Sequence, residues 1–159
     1  FDLENSFKIN CAGTFELIKT AIPYLIKTEQ TFNVSPCVIN FTSIYSSFSP
    51  KKHKYSSLEE VNPIEYGITK SANLQMTKYL AAYYGDKNIR FNSIAPGCFP
   101  NINKISDEKF LDNLKKKCPM NKIGKPKDLS GIIIFLSSDA SSFITGQNIF
   151  IDGGANCWI

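Results

Sequence analysis

Tyr66-Gly67-Ile68-Thr69-Lys70 sets a phenol and an ammonium four residues apart. On a helix, positions i and i+4 share a face, so Lys70 can hold its charge beside Tyr66. A free tyrosine titrates near ~10 and is a poor base at neutral pH. A neighbouring cation favours the phenolate and brings the group towards acid–base use. Taken alone, the pair fits an ordinary surface contact on a helix as well. Ser43 closes the apolar run before Asn40-Phe41-Thr42-Ser43, which puts it at a strand's carboxyl end, where open α/β sheets bind ligands. Pro96-Gly97 stops a second such run at the same edge. Asn10 lies inside a helical pattern, where an amide does little for helix stability. Singly, Ser43 is a loop hydroxyl and Asn10 a helix amide. Converging with Tyr66 and Lys70 on one rim, they would make a polar site.

The elements that must position these groups follow from periodicity. Phe7, Cys11, Phe15, Ile18, Ile22 and Leu25 recur at helical spacing and predict a helix from Leu3 to about Lys27, kinked or ended by Pro23. A polar loop over 28–36 leads into a buried strand, Cys37–Phe41. Residues 43–62 lack periodicity and read as a long loop. Helical spacing returns from Pro63 to Tyr84, with Ala72, Met76, Tyr79, Leu80 and Tyr83 as expected contacts, and Gly85 and Asn88 at its end. Ile89–Ala95 is a second strand. Ser106 reads as the N-cap of a helix through Lys117, Pro126 as the start of another reaching Leu136, and Gln147–Ile151 as a third strand. Helices between short buried strands imply crossovers and a parallel sheet covered on both faces. The first helix has no strand before it in a chain that starts at Phe1. The expectation is therefore a single domain, residues 1–159, forming the C-terminal portion of a doubly wound α/β fold.

Composition narrows the function classes. The 159 residues are 43% hydrophobic and 20% charged, enough to bury a core. Apolar runs such as Ile132–Leu136 fall far short of the ~20 residues of a membrane span. The net charge of +4 comes from dispersed cations, which argues against nucleic acid. Five cysteines without a CxxC pair, and a lone His53, give no metal-ligand spacing and point to reduced thiols in the cytoplasm. His53 reads as a solvated loop residue and Lys115–Lys117 as a helix end complementing the helix dipole.

Together these segments resemble the short-chain dehydrogenase/reductase family over nearly the whole chain. The family's helix-borne Asn matches Asn10 in Lys8–Phe15, its Ser matches Ser43 in Val38–Ser43, and its Tyr-x-x-x-Lys matches Tyr66 and Lys70, followed by Ser71-Ala72. Asn88–Gly97 is similar to the stretch beside the nicotinamide. Phe135–Asp139, Ile144–Gln147 and Ile151–Gly154 are similar to the C-terminal signature. The family's Gly-rich fingerprint and Asn-Asn-Ala-Gly segment are not in the chain and would precede Phe1. Asn101 stands where the family often has Thr, and the interval from Ser43 to Tyr66 is longer than usual.

The resemblance implies a Rossmann-type fold and an NAD(P)-dependent oxidoreductase that moves a hydride between nicotinamide and a carbonyl/alcohol pair. It implies that Tyr66 exchanges the substrate proton, Ser43 bonds the substrate oxygen, Lys70 tunes Tyr66 and meets the cofactor ribose, and Asn10 holds a relay water. Tyr66, Lys70, Pro96, Gly97, Cys98, Phe99 and Asn101 would bind NAD or NADP, with no metal. Gly153 and Gly154 fit either a strand-ending turn or a place near the cofactor. The partner is then a small molecule, and the complete protein a homodimer or homotetramer. The long loop and the segment before Tyr66 look most like members acting on bacterial surface sugars or in flagellin modification. Lys51, Lys52 and Lys54 would then meet an activated sugar's phosphates, or else remain solvated. A 3-oxoacyl thioester reductase and a non-catalytic nucleotide-binding protein of the same fold stay open beside it.

Overall fold

The computed structural model describes residues 2–51, 61–105 and 108–158. Three parallel strands, β1 (Cys37–Phe41), β2 (Arg90–Pro96) and β3 (Asn148–Ile151), form one sheet in that order. Cys37 lies opposite Arg90 and Phe41 opposite Ile94, while Ser93 pairs Asn148 and Pro96 pairs Ile151. Parallel pairing requires crossovers, and helices supply both. The expected strands are all present, with ends shifted by a residue. Alternation along β2 sends Phe91 into the cluster with Ile18, Ile22, Ala81 and Ile89, and sends Arg90 the other way. Helices therefore cover both faces, as a doubly wound sheet requires.

The first helical stretch is longer and less regular than its pattern predicts. α1 (Leu3–Phe7) passes through a π-helical turn, Lys8–Gly13, into α2 (Thr14–Phe32). Pro23 neither ends α2 nor prevents it from reaching Phe32. Ile18 and Ile22 before it, and Leu25 and Ile26 after it, pack on the same core. Each fully buried aliphatic chain is worth about 1.5–3 kcal/mol, which offsets one lost backbone bond. Asn33, in the left-handed region at φ 50°, ends the helix, and its N–H bonds the Glu29 carbonyl. The loop expected over 28–36 shrinks accordingly. Cys11, Ile18 and Ile22 are buried as expected, whereas Phe7 and Phe15 are exposed.

α3 (Ile64–Tyr84) starts after Pro63, as expected, but its buried stripe differs from the expected contacts. Glu65, Thr69, Asn73, Thr77 and Ala81 face inward at four-residue spacing. Tyr79 and Tyr83 are 68% and 72% exposed, while Met76 and Leu80 pack only in part. The inward stripe is mostly polar because it meets polar partners: Asn40 on β1 donates to Thr77 Oγ1 at 2.8 Å. Apolar periodicity could not reveal such a face.

Beyond β2, α4 (Glu108–Lys115) is short, and the expected cap Ser106 lies outside the described residues. Lys115 pairs with Asp112 at 2.6 Å, which fits a solvated helix end. Pro126–Leu129 form a 3-10 turn before α5 (Ser130–Ser137), so the predicted helix from Pro126 divides in two. Arg90, only 4% exposed, donates to the Leu136 and Ser141 carbonyls at 2.9 and 3.2 Å and to Ser141 Oγ at 2.8 Å. A buried cation thus fastens the start of β2 to the carboxyl end of α5, whose carbonyl dipoles favour it.

Candidate active site

The carboxyl ends of β1 and β2 open onto one rim. Thr42 extends the ladder past β1, its N–H bonding the Ile94 carbonyl at 2.9 Å. Ser43 follows in extended backbone and is buried; its Oγ accepts from the Tyr45 N–H at 3.2 Å and so caps the 3-10 turn Ile44–Ser46. That turn is docked on α3 by Ser71, whose Oγ donates to the Ser46 carbonyl at 3.0 Å. Ser43 is therefore held by backbone on one side and by α3 on the other.

Tyr66 and Lys70 lie half-buried on successive turns of α3. Lys70 Nζ stands 5.8 Å from the centre of the Tyr66 ring and donates to the Phe41 carbonyl at 2.9 Å. Burial lowers the Lys70 pKa from the ordinary lysine value, with the Cys11 thiol beside it opposing that shift. Burial likewise raises the Cys11 thiol, against the pull of Lys70. Asn10, in the π-helical turn, reaches α3 one residue before Lys70, its Nδ2 donating to Thr69 Oγ1 at 3.1 Å. The elements carrying Asn10, Ser43, Tyr66 and Lys70 are thus joined by direct bonds around the end of β1.

Pro96 ends β2, and the Gly97 N–H bonds the Ile151 carbonyl at 3.0 Å. A Cβ on Gly97 would lie 2.7 Å from Asp152 Cβ, so only glycine lets β2 leave the sheet this close to the turn after β3. The Cys98 carbonyl accepts from the Gly124 N–H at 2.9 Å, and the Phe99 ring fills the space a Gly124 side chain would need. Asn101 uses its Oδ1 to cap the turn Ile102–Lys104, accepting from the Asn103 N–H at 3.2 Å. Gly153 and Gly154, at φ 64° and 84°, form a turn clasped by Asp152, which accepts from the Gly154 and Asn156 N–H groups. The strand-ending reading of this pair therefore has a direct geometric basis. Among the described residues no cluster of His, Cys, Asp or Glu has metal-binding geometry, and no helix is long and apolar enough to cross a membrane.

Several candidates lie away from the rim. Lys51 Nζ donates to the Trp158 carbonyl at 2.9 Å, while Lys52, His53 and Lys54 lie outside the described residues. A concavity of about 1280 Å³ runs from the turn just after Ser43, at Tyr45–Ser47, to Ile64, Gly67 and Ile68 of α3, and neither Tyr66 nor Lys70 lines it. Sequence reasoning passed over Thr69 and Arg90. The signals were present: a hydroxyl four residues from Glu65 and from Asn73, and an arginine inside an apolar strand.

A family model described as Enoyl-(Acyl carrier protein) reductase matches residues 2–156. An isoepoxydon dehydrogenase of Penicillium expansum is 33% identical over 158 residues, covering 95% of this chain and 55% of the relative. A short-chain dehydrogenase of Leptospira borgpetersenii, solved with bound NAD+, superposes with a TM-score of 0.77 at 34% identity, over 96% of this chain and 56% of that one. A gluconate 5-dehydrogenase of Burkholderia cenocepacia, solved with NADP and tartrate, gives 0.84 at 28% identity, over 99% and 57%. The chain spans about half the length of the curated relatives it matches.

Proposed function

Because the chain belongs to the short-chain dehydrogenase/reductase family, we propose that the complete protein is an NAD(P)-dependent oxidoreductase acting on a carbonyl/alcohol pair. The observation that carries this reading is the placement of Lys70 Nζ, 5.8 Å from the Tyr66 ring centre and bonded to the end of β1. A nicotinamide cofactor fits the residues present. The rim lies at strand carboxyl ends, where dinucleotides bind, and Gly97 lets β2 leave the sheet there, close against Asp152. Lys70, Pro96, Gly97, Cys98, Phe99 and Asn101 would line the nicotinamide end. When bound, the cofactor supplies the hydride chemistry.

The chain's own groups handle the proton and the oxygen. Tyr66 gives its phenolic proton to the substrate oxygen in reduction and takes it back in oxidation. Ser43 Oγ, with its backbone fixed by the cap to Tyr45, donates to the same oxygen and polarises the carbonyl. Lys70 keeps positive charge beside the phenol and can also bond a ribose hydroxyl. Asn10 orients water behind Lys70, completing a path for the proton.

For the substrate, the first reading is a sugar or activated sugar of surface-polysaccharide or flagellin modification, and the gluconate 5-dehydrogenase neighbour supports a hydroxylated carbon chain. A 3-oxoacyl-[acyl-carrier-protein] reductase of Thermotoga maritima, 31% identical over 155 residues, favours a second reading, a 3-oxoacyl thioester reductase. Following NADH and NADPH absorbance with the full-length protein against sugar, activated-sugar and acyl-thioester carbonyls tests both. Turnover of a sugar carbonyl supports the first and turnover of a thioester the second. Cofactor binding without turnover on any carbonyl overturns the enzymatic reading.

A further inference from the structure

We infer that Thr69 is a positioning residue for Asn10, fixing which end of the Asn10 amide faces the rim. The inference rests on the acid–base reading of Asn10, Tyr66 and Lys70. Thr69 is fully buried, and its hydroxyl carries one proton and two lone pairs. Its Oγ1 lies 3.1 Å from the Tyr66 carbonyl oxygen and 3.1 Å from Asn10 Nδ2. A carbonyl only accepts, so the hydroxyl proton goes to Tyr66. With that proton committed, Thr69 can only accept from Asn10. With both bonds made, the amide turns its NH2 towards α3 and its Oδ1 the opposite way. The reversed amide could keep a hydrogen bond only by taking the Thr69 proton away from the Tyr66 carbonyl. Amide orientation is ordinarily assigned from the surrounding network, and here the NH2-inward orientation is the one that keeps both Thr69 bonds.

Two more bonds hold the frame. Cys11 Sγ donates to the Thr69 carbonyl at 3.5 Å, and Thr14 Oγ1 donates to the Asn10 carbonyl at 2.8 Å. Thr69 thus ties consecutive residues of the π-helical turn to the turn of α3 between Tyr66 and Lys70. A π-helical turn is a rare local conformation, commonly found at functional sites, and it depends on outside contacts of this kind. Valine at 69 would keep the shape, remove the acceptor, and leave the Asn10 amide free to reverse. Proton relay would suffer while cofactor and substrate still bind.

The test uses the full-length protein with its carbonyl substrate. Thr69→Val is expected to lower kcat about tenfold or more, a fraction of a full acid–base contribution, with KM changed less than about threefold. Thr69→Ser, which keeps the hydroxyl, is expected to stay within about twofold of the unmodified enzyme. In an Asn10→Ala background, Thr69→Val should add no further loss, since both changes act on one path. If Thr69→Val does not fold, Thr69→Ala removes the same hydroxyl and enters the same cycle. An unchanged kcat, equal losses in both backgrounds, or a serine variant as slow as the valine one overturns the inference. Tyr66→Phe separates the two levels. If it is inactive while Thr69→Val is normal, only the role of Thr69 falls; if it turns over normally, the acid–base reading falls and takes this inference with it.

Discussion

Lys70 Nζ donates to the carbonyl of Phe41 at 2.9 Å, tying the face of α3 that carries Tyr66 and Lys70 to the last residue of β1. Phe41 is two residues before Ser43, so one bond links the ammonium to the backbone that presents the serine. The same ammonium stands 5.8 Å from the Tyr66 ring centre. A shift of α3 along the strand would therefore disturb the phenol, the cation and the serine together. Such coupling suits the proposed site, in which the phenol and the serine meet one substrate oxygen and the cation stands beside the phenol.

Tyr66→Phe keeps the ring and deletes the proton donor. In the complete protein kcat is expected to fall by at least about 10²-fold, the usual lower size of a general acid–base contribution. Cofactor affinity and thermal midpoint should hold. Steady-state rates and NADH binding on the same preparation check both halves. Near-normal turnover would mean that another group moves the proton.

The depressed pKa of Lys70 gives a pH signature. Burial lowers this pKa from the lysine value, and the neighbouring Cys11 opposes it less strongly. The folded state therefore holds the proton less tightly than the unfolded chain, which titrates near ~10.4. At low pH both states are charged and the desolvation cost is present in full. As pH rises through the lowered folded value the cost is relieved, so stability rises up to the unfolded value. Loss of the charge should also weaken cofactor binding over the same window. Denaturant midpoints and cofactor KM across the alkaline range are expected to show both trends, and Lys70→Met to show neither. Identical slopes in Lys70→Met would assign them to other groups.

Arg90 is a structural clamp outside the rim. Its guanidinium is buried among neutral acceptors, the Leu136 and Ser141 carbonyls, Ser141 Oγ and Ser35 Oγ. Hydrogen bonds to a charged group contribute about 1.5–3 kcal/mol each, and orphaned carbonyls add a further cost. Arg90→Met in the complete protein is expected to lose on the order of 3 kcal/mol or more of stability by denaturant titration. Arg90→Lys should recover only part, because one ammonium cannot replace a planar fork. A loss under about 0.5 kcal/mol, the range of an unremarkable surface change, would show the clamp to be dispensable.

How far the sequence carried this reading depended on what each residue does. Strands showed clearly because Cys37–Phe41 is a short, mostly apolar run and Arg90–Pro96 a buried one, with ends marked by polar residues or Pro-Gly. Helix extent was harder. Pro23 is a local stop signal that tertiary packing of Ile22 and Leu25 overrides, and the π-helical turn at Lys8–Gly13 has no signature in apolar spacing. The inward face of α3 escaped periodicity because Thr69, Asn73 and Thr77 are polar. Asn10, Ser43, Tyr66 and Lys70 were legible through their motifs, and the structure brings their elements together. Thr69, which joins two of those elements, was not, since a hydroxyl declares its partner only once the fold is known.

The exposed faces of α2 and α3 carry the last prediction. Leu17 and Tyr24 on α2, and Ile68, Tyr79 and Tyr83 on α3, are large apolar or aromatic side chains open to solvent. Aromatic side chains are enriched at protein interfaces, and these exposed side chains offer an association surface. The core explains Met76 and Leu80 but not Tyr79 and Tyr83, which point away from it. The full-length protein is expected to sediment as a dimer or tetramer at micromolar concentration. Tyr79→Glu with Tyr83→Glu would place desolvated charges in the contact, at a cost of several kcal/mol for each like-charge juxtaposition, and should shift the protein towards monomer. Thermal unfolding of the monomeric variant should then become independent of protein concentration, whereas that of the unmodified oligomer rises with it. An unmodified protein that sediments as a monomer, or a double variant that assembles normally, would leave these aromatics as solvent-facing residues with no part in association.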